Sequence, residues 1–140
     1  MIRYENLPAI DSGIRRHFNC MSYALGVYND WLVPRTWCRE KVDLVEVSKE
    51  LCEEYKLIRV EHPDEVPKQF YVIAFRYEPK NDFHFLLRKG GQWLGKAGSY
   101  QRIGRFKKSK VFADNWTYRY SSDILFFVHQ EDFIEMNMKH

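Results

Sequence analysis

The chain has 140 residues and a mass of 17.0 kDa, and its 45% hydrophobic and 29% charged composition is that of one ordinary globular domain, expected over residues 1–140. The formal net charge of +3 makes it mildly basic, which alone does not indicate nucleic-acid binding. It has neither a bilayer-spanning apolar run nor an apolar N-terminal signal region, so we expect no membrane contact and a location that is cytoplasmic or reached without a cleavable signal peptide.

The first predicted elements are helices. Asn19 is a good N-cap residue, and the apolar residues after it predict a short helix that ends near Tyr28. A clearer helix is predicted from Asp43 to Tyr55, because apolar residues recur on one face and glutamates lie on the other. Residues 29–41, between the two helices, are predicted to form a loop packed by its own aromatic side chains.

The rest of the chain is predicted to form mainly strands. Apolar and aromatic runs predict strands at Leu57–Val60, Phe70–Tyr77, Phe83–Arg88, Gln92–Lys96 and Ile124–Val128. The Gly90-Gly91 pair predicts a hairpin turn, whereas residues 99–118 are predicted to form a long polar and basic loop with short pieces of order. Helices followed by an antiparallel sheet indicate an α+β fold.

The most informative position is Cys20, which follows Asn19 and so lies at the predicted start of a helix. The partial positive charge of a helix N-terminus favours the thiolate, which is the nucleophilic form of cysteine. Cys38 and Cys52 are interpreted as structural, and an odd number of cysteines without paired spacing argues against a disulfide scaffold. The histidines are scattered and no CxxC or HxxxH pair occurs, so the sequence predicts no metal site and no cofactor.

A second informative position is His84, which lies within a strand-like aromatic run. Strand alternation puts Phe83 and Phe85 on a core face and His84 on the other side, towards solvent, a cleft or another layer. A histidine close to Cys20 can accept the thiol proton and return it to the leaving group of an acyl transfer. His17, three residues before Cys20, is a rival general base.

These positions carry a resemblance to a known group of proteins. The segment Asn19-Cys20-x-x-Tyr23-Ala24-Leu25 resembles the N-C-x-x-Y-A-L motif of papain-like cysteine peptidase-fold proteins of bacteria and phages. The run Asp82-Phe83-His84-Phe85, with Trp93 and Lys96-Ala97-Gly98 after it, is similar to the D-[YF]-H-[FW] … W-x-H-K-P-G pattern of that group. Asp114 matches an aspartate that follows the pattern.

The resemblance implies a papain-like fold, in which N-terminal helices pack on an antiparallel sheet with a catalytic cleft between them. It implies Cys20 as the nucleophile, His84 as the general acid and base, and Asp114 as the residue that orients the imidazole. Asp82 and Asn115 are rivals for the third role. The implied reaction is amide hydrolysis through a thioester, by a peptidase, amidase or glutamine deamidase acting on a protein or peptide. Peptidoglycan hydrolysis ranks lower, because no secretion signal or wall-binding repeat accompanies it.

Three residues are candidates for the oxyanion hole or for positioning the substrate, namely Asn19, Trp93 and Lys96. The backbone N–H of Cys20 would supply one oxyanion donor. Papain has a glutamine a few residues before its cysteine, and this chain offers Ser12 and Asn19 instead, of which Asn19 is preferred. Helix capping alone is the simpler role for Asn19, and a place in the core is the simpler role for Trp93.

The chain departs from the family pattern at three positions, which motivates a second interpretation. Gly95 replaces a histidine, Ala97 a proline, and Asn115 the proline after the aspartate. The alternative is a catalytically degenerate papain-like scaffold that binds protein or nucleic acid through a basic run with aromatic neighbours. The cations of that run are Arg102, Arg105, Lys107, Lys108 and Lys110. The same run also fits a solvated surface or a site that selects an acidic protein substrate.

Overall fold

The computed structural model describes residues 18–27, 31–37, 43–78, 82–96, 103–113 and 123–138. The helices in these ranges are α1 (Cys20–Leu25), α2 (Leu44–Tyr55), α3 (Lys108–Val111) and α4 (Gln130–Met138). The strands are β1 (Leu57–Val60), β2 (Val72–Glu78), β3 (Asp82–Lys89), β4 (Gln92–Lys96), β5 (Ile103–Phe106) and β6 (Leu125–His129). A short 3₁₀ helix spans Pro63–Glu65. The expected α+β class is confirmed.

The strands form one antiparallel sheet in the order β1-β6-β2-β3-β4-β5. From β2 to β5 each strand pairs with the next, and the β3–β4 hairpin turns through Gly90 and Gly91 at φ 57° and 81°. Glycine adopts these positive φ angles at little steric cost. β6 comes last in the chain but inserts between β1 and β2. Among the described strands, β1 and β5 are therefore the edges.

One face of the sheet, termed here the α1 face, packs against α1 and α2. All six residues of α1 are buried, so this short helix is held by packing rather than by its own helix propensity. Phe83, Phe85 and Leu87 of β3 belong to the same core cluster as Cys20 and as Leu51 of α2. These alternate β3 residues therefore face α1.

The opposite face, termed the α3 face, is covered by the 3₁₀ segment, α3 and α4. Its core cluster contains Leu86 of β3, Trp93 of β4, Phe126 of β6 and Val111 of α3. Arg88 also belongs to this face, because it lies two residues beyond Leu86 on β3 and side chains alternate along a strand. The sheet is thus buried on both sides, with even-numbered β3 residues facing α3.

The region predicted to be a long loop contains two elements, β5 and α3. Along β5, Ile103 is buried and Arg105, two residues later on the same face, is exposed, so this edge strand runs out of the core towards solvent. The strand has only four residues and lacks a continuous apolar run, so the sequence pattern did not predict it. The helix predicted from Asp43 to Tyr55 is confirmed as α2, and Asp43 caps it by accepting hydrogen bonds from the backbone N–H groups of Val45 and Glu46.

Candidate functional site

Cys20 is the first residue of α1, as the sequence predicted for the start of a helix. Its side chain lies in the core of the α1 face, and the residue is 8% exposed. The helix N-terminus favours the thiolate, whereas burial favours the neutral thiol. The two influences on Cys20 therefore oppose each other.

Asn19 fixes the start of α1 through both ends of its side-chain amide. Its Oδ1 accepts a hydrogen bond from the backbone N–H of Ser22 at 3.0 Å, and its own backbone N–H donates to Ser22 Oγ at 3.1 Å. Its Nδ2 donates to the carbonyl of Leu32 at 2.6 Å, and the residue is 5% exposed. These contacts form a capping box that also ties the following loop to the helix. They give Asn19 a capping role, and its use as an oxyanion donor stays a prediction.

His84 lies on the α3 face of the sheet. It pairs in register with Arg76 of β2, and a Cβ placed on Gly95 would lie 3.7 Å from His84 Nε2. His84 is 2% exposed, and this burial lowers the pKa of its imidazole to about 4. The side chain is therefore neutral at pH 7.

Cys20 and His84 thus lie on opposite faces of the sheet. Phe83 and Phe85, which flank His84 in the sequence, belong to the core cluster that contains Cys20, so alternation turns His84 away from that cluster. The described residues do not bring the predicted thiol–imidazole pair together. The rival or additional site residues His17, Asp114 and Asn115 lie outside the described residues, as does the side chain of Asp82.

Ala113, the last described residue before Asp114, lies on the face of the sheet that carries His84. Arg76, the neighbour of His84 on β2, donates a hydrogen bond from Nη1 to the carbonyl of Ala113. The backbone that leads to Asp114 is therefore held on the α3 face. The role of Asp114 as the third catalytic residue stays a prediction.

The two remaining positioning candidates also lie on different faces. Trp93 is buried in the core of the α3 face, with its ring centroid 6.3 Å from that of Phe126. Lys96 is fully buried, and its Nζ lies 5.0 Å from the ring centroid of Phe18 in a cation–π contact. Phe18 directly precedes the Asn19-Cys20 pair, so Lys96 contacts the segment that leads into α1 while Trp93 does not.

A basic and aromatic stretch of chain runs from β5 through α3 at the edge of the sheet. Arg105, Lys107 and Lys108 are exposed. Phe112 is 40% exposed, and its ring stacks on that of His62 with centroids 5.2 Å apart and planes 4° apart. Lys110 is half-buried, and Arg102 lies outside the described residues. Of the five predicted cations, three are therefore exposed on one short stretch of chain.

A pocket of 140 Å³ lies where the 3₁₀ helix, the β3–β4 hairpin and α3 meet, and Lys68, Arg88 and Lys108 line it together with Asp64. Lys108 Nζ lies 2.9 Å from Asp64 Oδ1, and this hydrogen bond lowers the pKa of the Asp64 carboxyl. Lys108 belongs to the basic run that the sequence points to, whereas Lys68 and Arg88 lie outside that run and were not predicted. An arginine at the end of an apolar strand run was the available signal, but only the fold brings the three cations together.

Within the part of the chain that the structure describes, no cluster of three or more histidine, cysteine, aspartate or glutamate side chains could hold a metal ion. No helix there is both long and apolar enough to cross a membrane.

The described elements define an α+β protein whose single six-stranded antiparallel sheet is covered on both faces. Residues 9–118 match the family described as a domain of unknown function (DUF7689), and the chain belongs to this family. No curated protein and no solved structure matches the chain.

Proposed function

We propose that this protein binds single-stranded nucleic acid through the basic surface of β5 and α3. The observation that carries the proposal is the exposure of Lys107 and Lys108 a few residues before the exposed ring of Phe112, with Arg105 exposed on the other face of the edge strand β5. Lysine and arginine neutralise backbone phosphates, and exposed aromatic rings stack on bases. The protein would then be a papain-like scaffold that uses a binding surface in place of a catalytic site.

Stacking on Phe112 favours a single strand over a duplex. The Phe112 ring lies parallel to that of His62, so the protein already stacks against one face of the Phe112 ring. A base can stack on such a ring only when it is not enclosed between neighbouring base pairs. Unpaired bases meet this requirement without the cost of opening a helix.

The placement of Cys20 and His84 supports binding over hydrolysis by that pair. Acyl transfer by cysteine needs a base within hydrogen-bonding reach of the thiol. In the described fold a layer of β3 backbone separates the two side chains, and His84 is enclosed in the α3-face core. This separation supports the alternative interpretation of the sequence, in which a papain-like scaffold lacks a working Cys20–His84 pair.

The test is fluorescence anisotropy of a labelled single-stranded oligonucleotide at several salt concentrations. We expect the logarithm of the binding constant to fall with the logarithm of salt concentration with a slope of about −0.7 per phosphate contact, or about −2 for three contacts. The double variant Arg105→Ala and Lys107→Ala should weaken binding and flatten the slope. Lys49→Ala, which removes an exposed lysine from α2, is the matched control and should change neither. Absence of binding at low salt, or binding that is independent of salt, would refute the proposal.

Phe112→Ala separates stacking from charge. Loss of a stacked base costs about 1–3 kcal/mol, so affinity should fall by about 5- to 150-fold while the salt slope stays as in the wild type. If Phe112→Ala binds as tightly as the wild type, the aromatic ring takes no part, and duplex and single strand should then be compared directly.

Amide hydrolysis with Cys20 as nucleophile is the second candidate, favoured by the position of Cys20 at the start of a capped helix. The resemblance assigns the base to His84 and the third role to Asp114. Because His84 faces away from Cys20 in the described fold, His17 is the general base that the sequence offers in its place.

Alkylation of the cysteines with iodoacetamide between about pH 5 and pH 9, followed by peptide mass spectrometry, tests this second candidate. Cys52 serves as the internal reference, since burial raises the pKa of its thiol. A hydrolase requires Cys20 to react well below the pKa of an ordinary thiol, about 8.5, and to lose that reactivity in His84→Ala or His17→Ala. Equal or slower reaction of Cys20 would leave binding as the function.

A further inference from the structure

We infer that the pocket between the 3₁₀ helix, the β3–β4 hairpin and α3 binds a phosphate group, with Arg88, Lys68 and Lys108 as its cationic ligands. The inference deepens the proposed function and rests on it for the carrier of the phosphate, which is a nucleic-acid strand. The phosphate chemistry itself is argued from the pocket alone.

Arg88 is the fixed element of this site. Its Nη1 donates a hydrogen bond to the carbonyl of Pro63 at 2.9 Å. Its Nη2 lies 3.0–3.2 Å from the carbonyl oxygens of Val66, Pro67 and Phe70. These bonds hold the guanidinium in one orientation, so a ligand would not have to order it on binding.

The Nε–H of Arg88 is a donor that these carbonyls do not use. The residue is 6% exposed, and Nε is buried with no hydrogen-bond partner among the described residues. A buried guanidinium N–H without an acceptor is costly, and an anionic oxygen is the acceptor that stabilises it most. Arg88 therefore brings a positive charge to the wall of the pocket, while its unused Nε–H is itself closed off from water.

The two lysines approach the pocket from different elements. Lys68 comes from the segment after the 3₁₀ helix, and its stem packs against Gly91, where an added Cβ would lie 3.4 Å from Lys68 Cδ. Lys108 comes from the first residue of α3 and is oriented by its ion pair with Asp64. Both lysines are exposed, so their amines can reach a ligand from solvent without a rearrangement of the core.

The charge and the volume of the pocket indicate which class of ligand it binds. Three cations and the Asp64 carboxylate leave the pocket with a net charge of +2, which matches a phosphate better than a carboxylate. The pocket volume of 140 Å³ gives room for a phosphate group, and the sugar and base of a nucleotide would stay outside.

The site can be tested by titrating inorganic phosphate into ¹⁵N-labelled protein and following the Nε–H resonance of Arg88. We expect a saturable shift that sodium chloride at matched ionic strength does not produce. Because a hydrogen bond to a charged group is worth about 1.5–3 kcal/mol, Lys68→Ala and Lys108→Ala should each weaken phosphate binding by about tenfold or more. Lys49→Ala should leave the titration unchanged. A resonance that does not move, or moves equally with chloride, would overturn the inference.

Oligonucleotides with and without a 5′-phosphate identify the carrier. A shift of Arg88 Nε–H with either strand supports the inference, and tighter binding of the phosphorylated strand assigns the pocket to a terminal phosphate. If inorganic phosphate moves the resonance but neither strand binds, the site takes free phosphate and the proposed function fails. If a strand binds without moving the resonance, the inference fails and the proposed function stands.

Discussion

Gly95 occupies a position where packing permits no side chain. A Cβ there would lie 2.5 Å from Leu86 Cδ2 and 3.1 Å from Phe106 Cε2, and both contacts are closer than normal van der Waals distances. Leu86 is fully buried, so it has little space to move away. The papain-like pattern has a histidine at this position. In this chain the glycine lets the core of the α3 face close around His84.

Gly95→Ala should lower the free energy of unfolding by about 1–3 kcal/mol, because Leu86 must shift in a packed core. Gly104 is the matched control, since it pairs with Gly95 across β4 and β5 and has no atom within 4 Å of an added Cβ. Gly104→Ala should be neutral, or should stabilise by up to about 1 kcal/mol through a less flexible unfolded chain. Urea denaturation measures both, and equal effects would contradict the packing argument.

Burial of His84 makes the stability of the protein depend on pH. The pKa of His84 is lowered to about 4, so between about pH 6.5 and pH 4 the unfolded chain binds a proton that the folded chain does not. His84 therefore leaves the free energy of unfolding unchanged above about pH 6.5 and lowers it progressively as the pH falls towards 4. From this residue alone, we expect the free energy of unfolding to be about 2 kcal/mol lower at pH 5 than at pH 7.5.

His84→Gln tests that assignment in urea denaturation at the two pH values. The variant should lose most of the difference, even if it is less stable overall. His62→Gln, at a histidine whose side chain is 46% exposed, is the control and should keep the wild-type difference. An unchanged pH dependence in His84→Gln would mean that other groups cause the acid sensitivity.

Among whole elements, those with local signals were predictable from sequence. The cap at Asp43 and the apolar stripe define α2, and the Gly90-Gly91 turn defines the β3–β4 hairpin. The alternation that turns His84 away from Phe83 and Phe85 was also predictable. Which layer His84 then faces was not, because the side of the sheet that α1 covers is decided by packing between segments distant in sequence.

The two helix caps offer a comparison of buried and exposed capping. Asn19→Ala should cost about 2 kcal/mol or more, because it removes the cap of α1 and leaves buried Ser22 and the Leu32 carbonyl without their partner. Asp43→Ala, at the exposed cap of α2, should cost only about 1 kcal/mol. Thermal and urea unfolding of both variants measure the difference. Equal losses would show that the Leu32 contact contributes little.

Across the whole molecule, stability should rise from the edges of the sheet to its centre. β2 and β6 pair on both sides and contain fully buried residues such as Phe75 and Phe127, whereas β5 is short and pairs on one side. Backbone amides of β2 and β6 should exchange with solvent only through global unfolding, and those of β5 through local opening. Hydrogen-exchange mass spectrometry measures this order. Protection of β5 equal to that of β6 would indicate that something outside the described residues covers the edge.

The insertion of β6 between β1 and β2 has a consequence for synthesis on the ribosome. β1 ends at Val60 and β2 at Glu78, but the strand that joins them begins only at Leu125. At about 5–20 residues per second, β1 and one side of β2 emerge seconds before their shared partner exists. Until then each offers an unpaired backbone edge to other nascent chains. We therefore expect the yield of folded protein to depend on chaperones that shield these edges during translation.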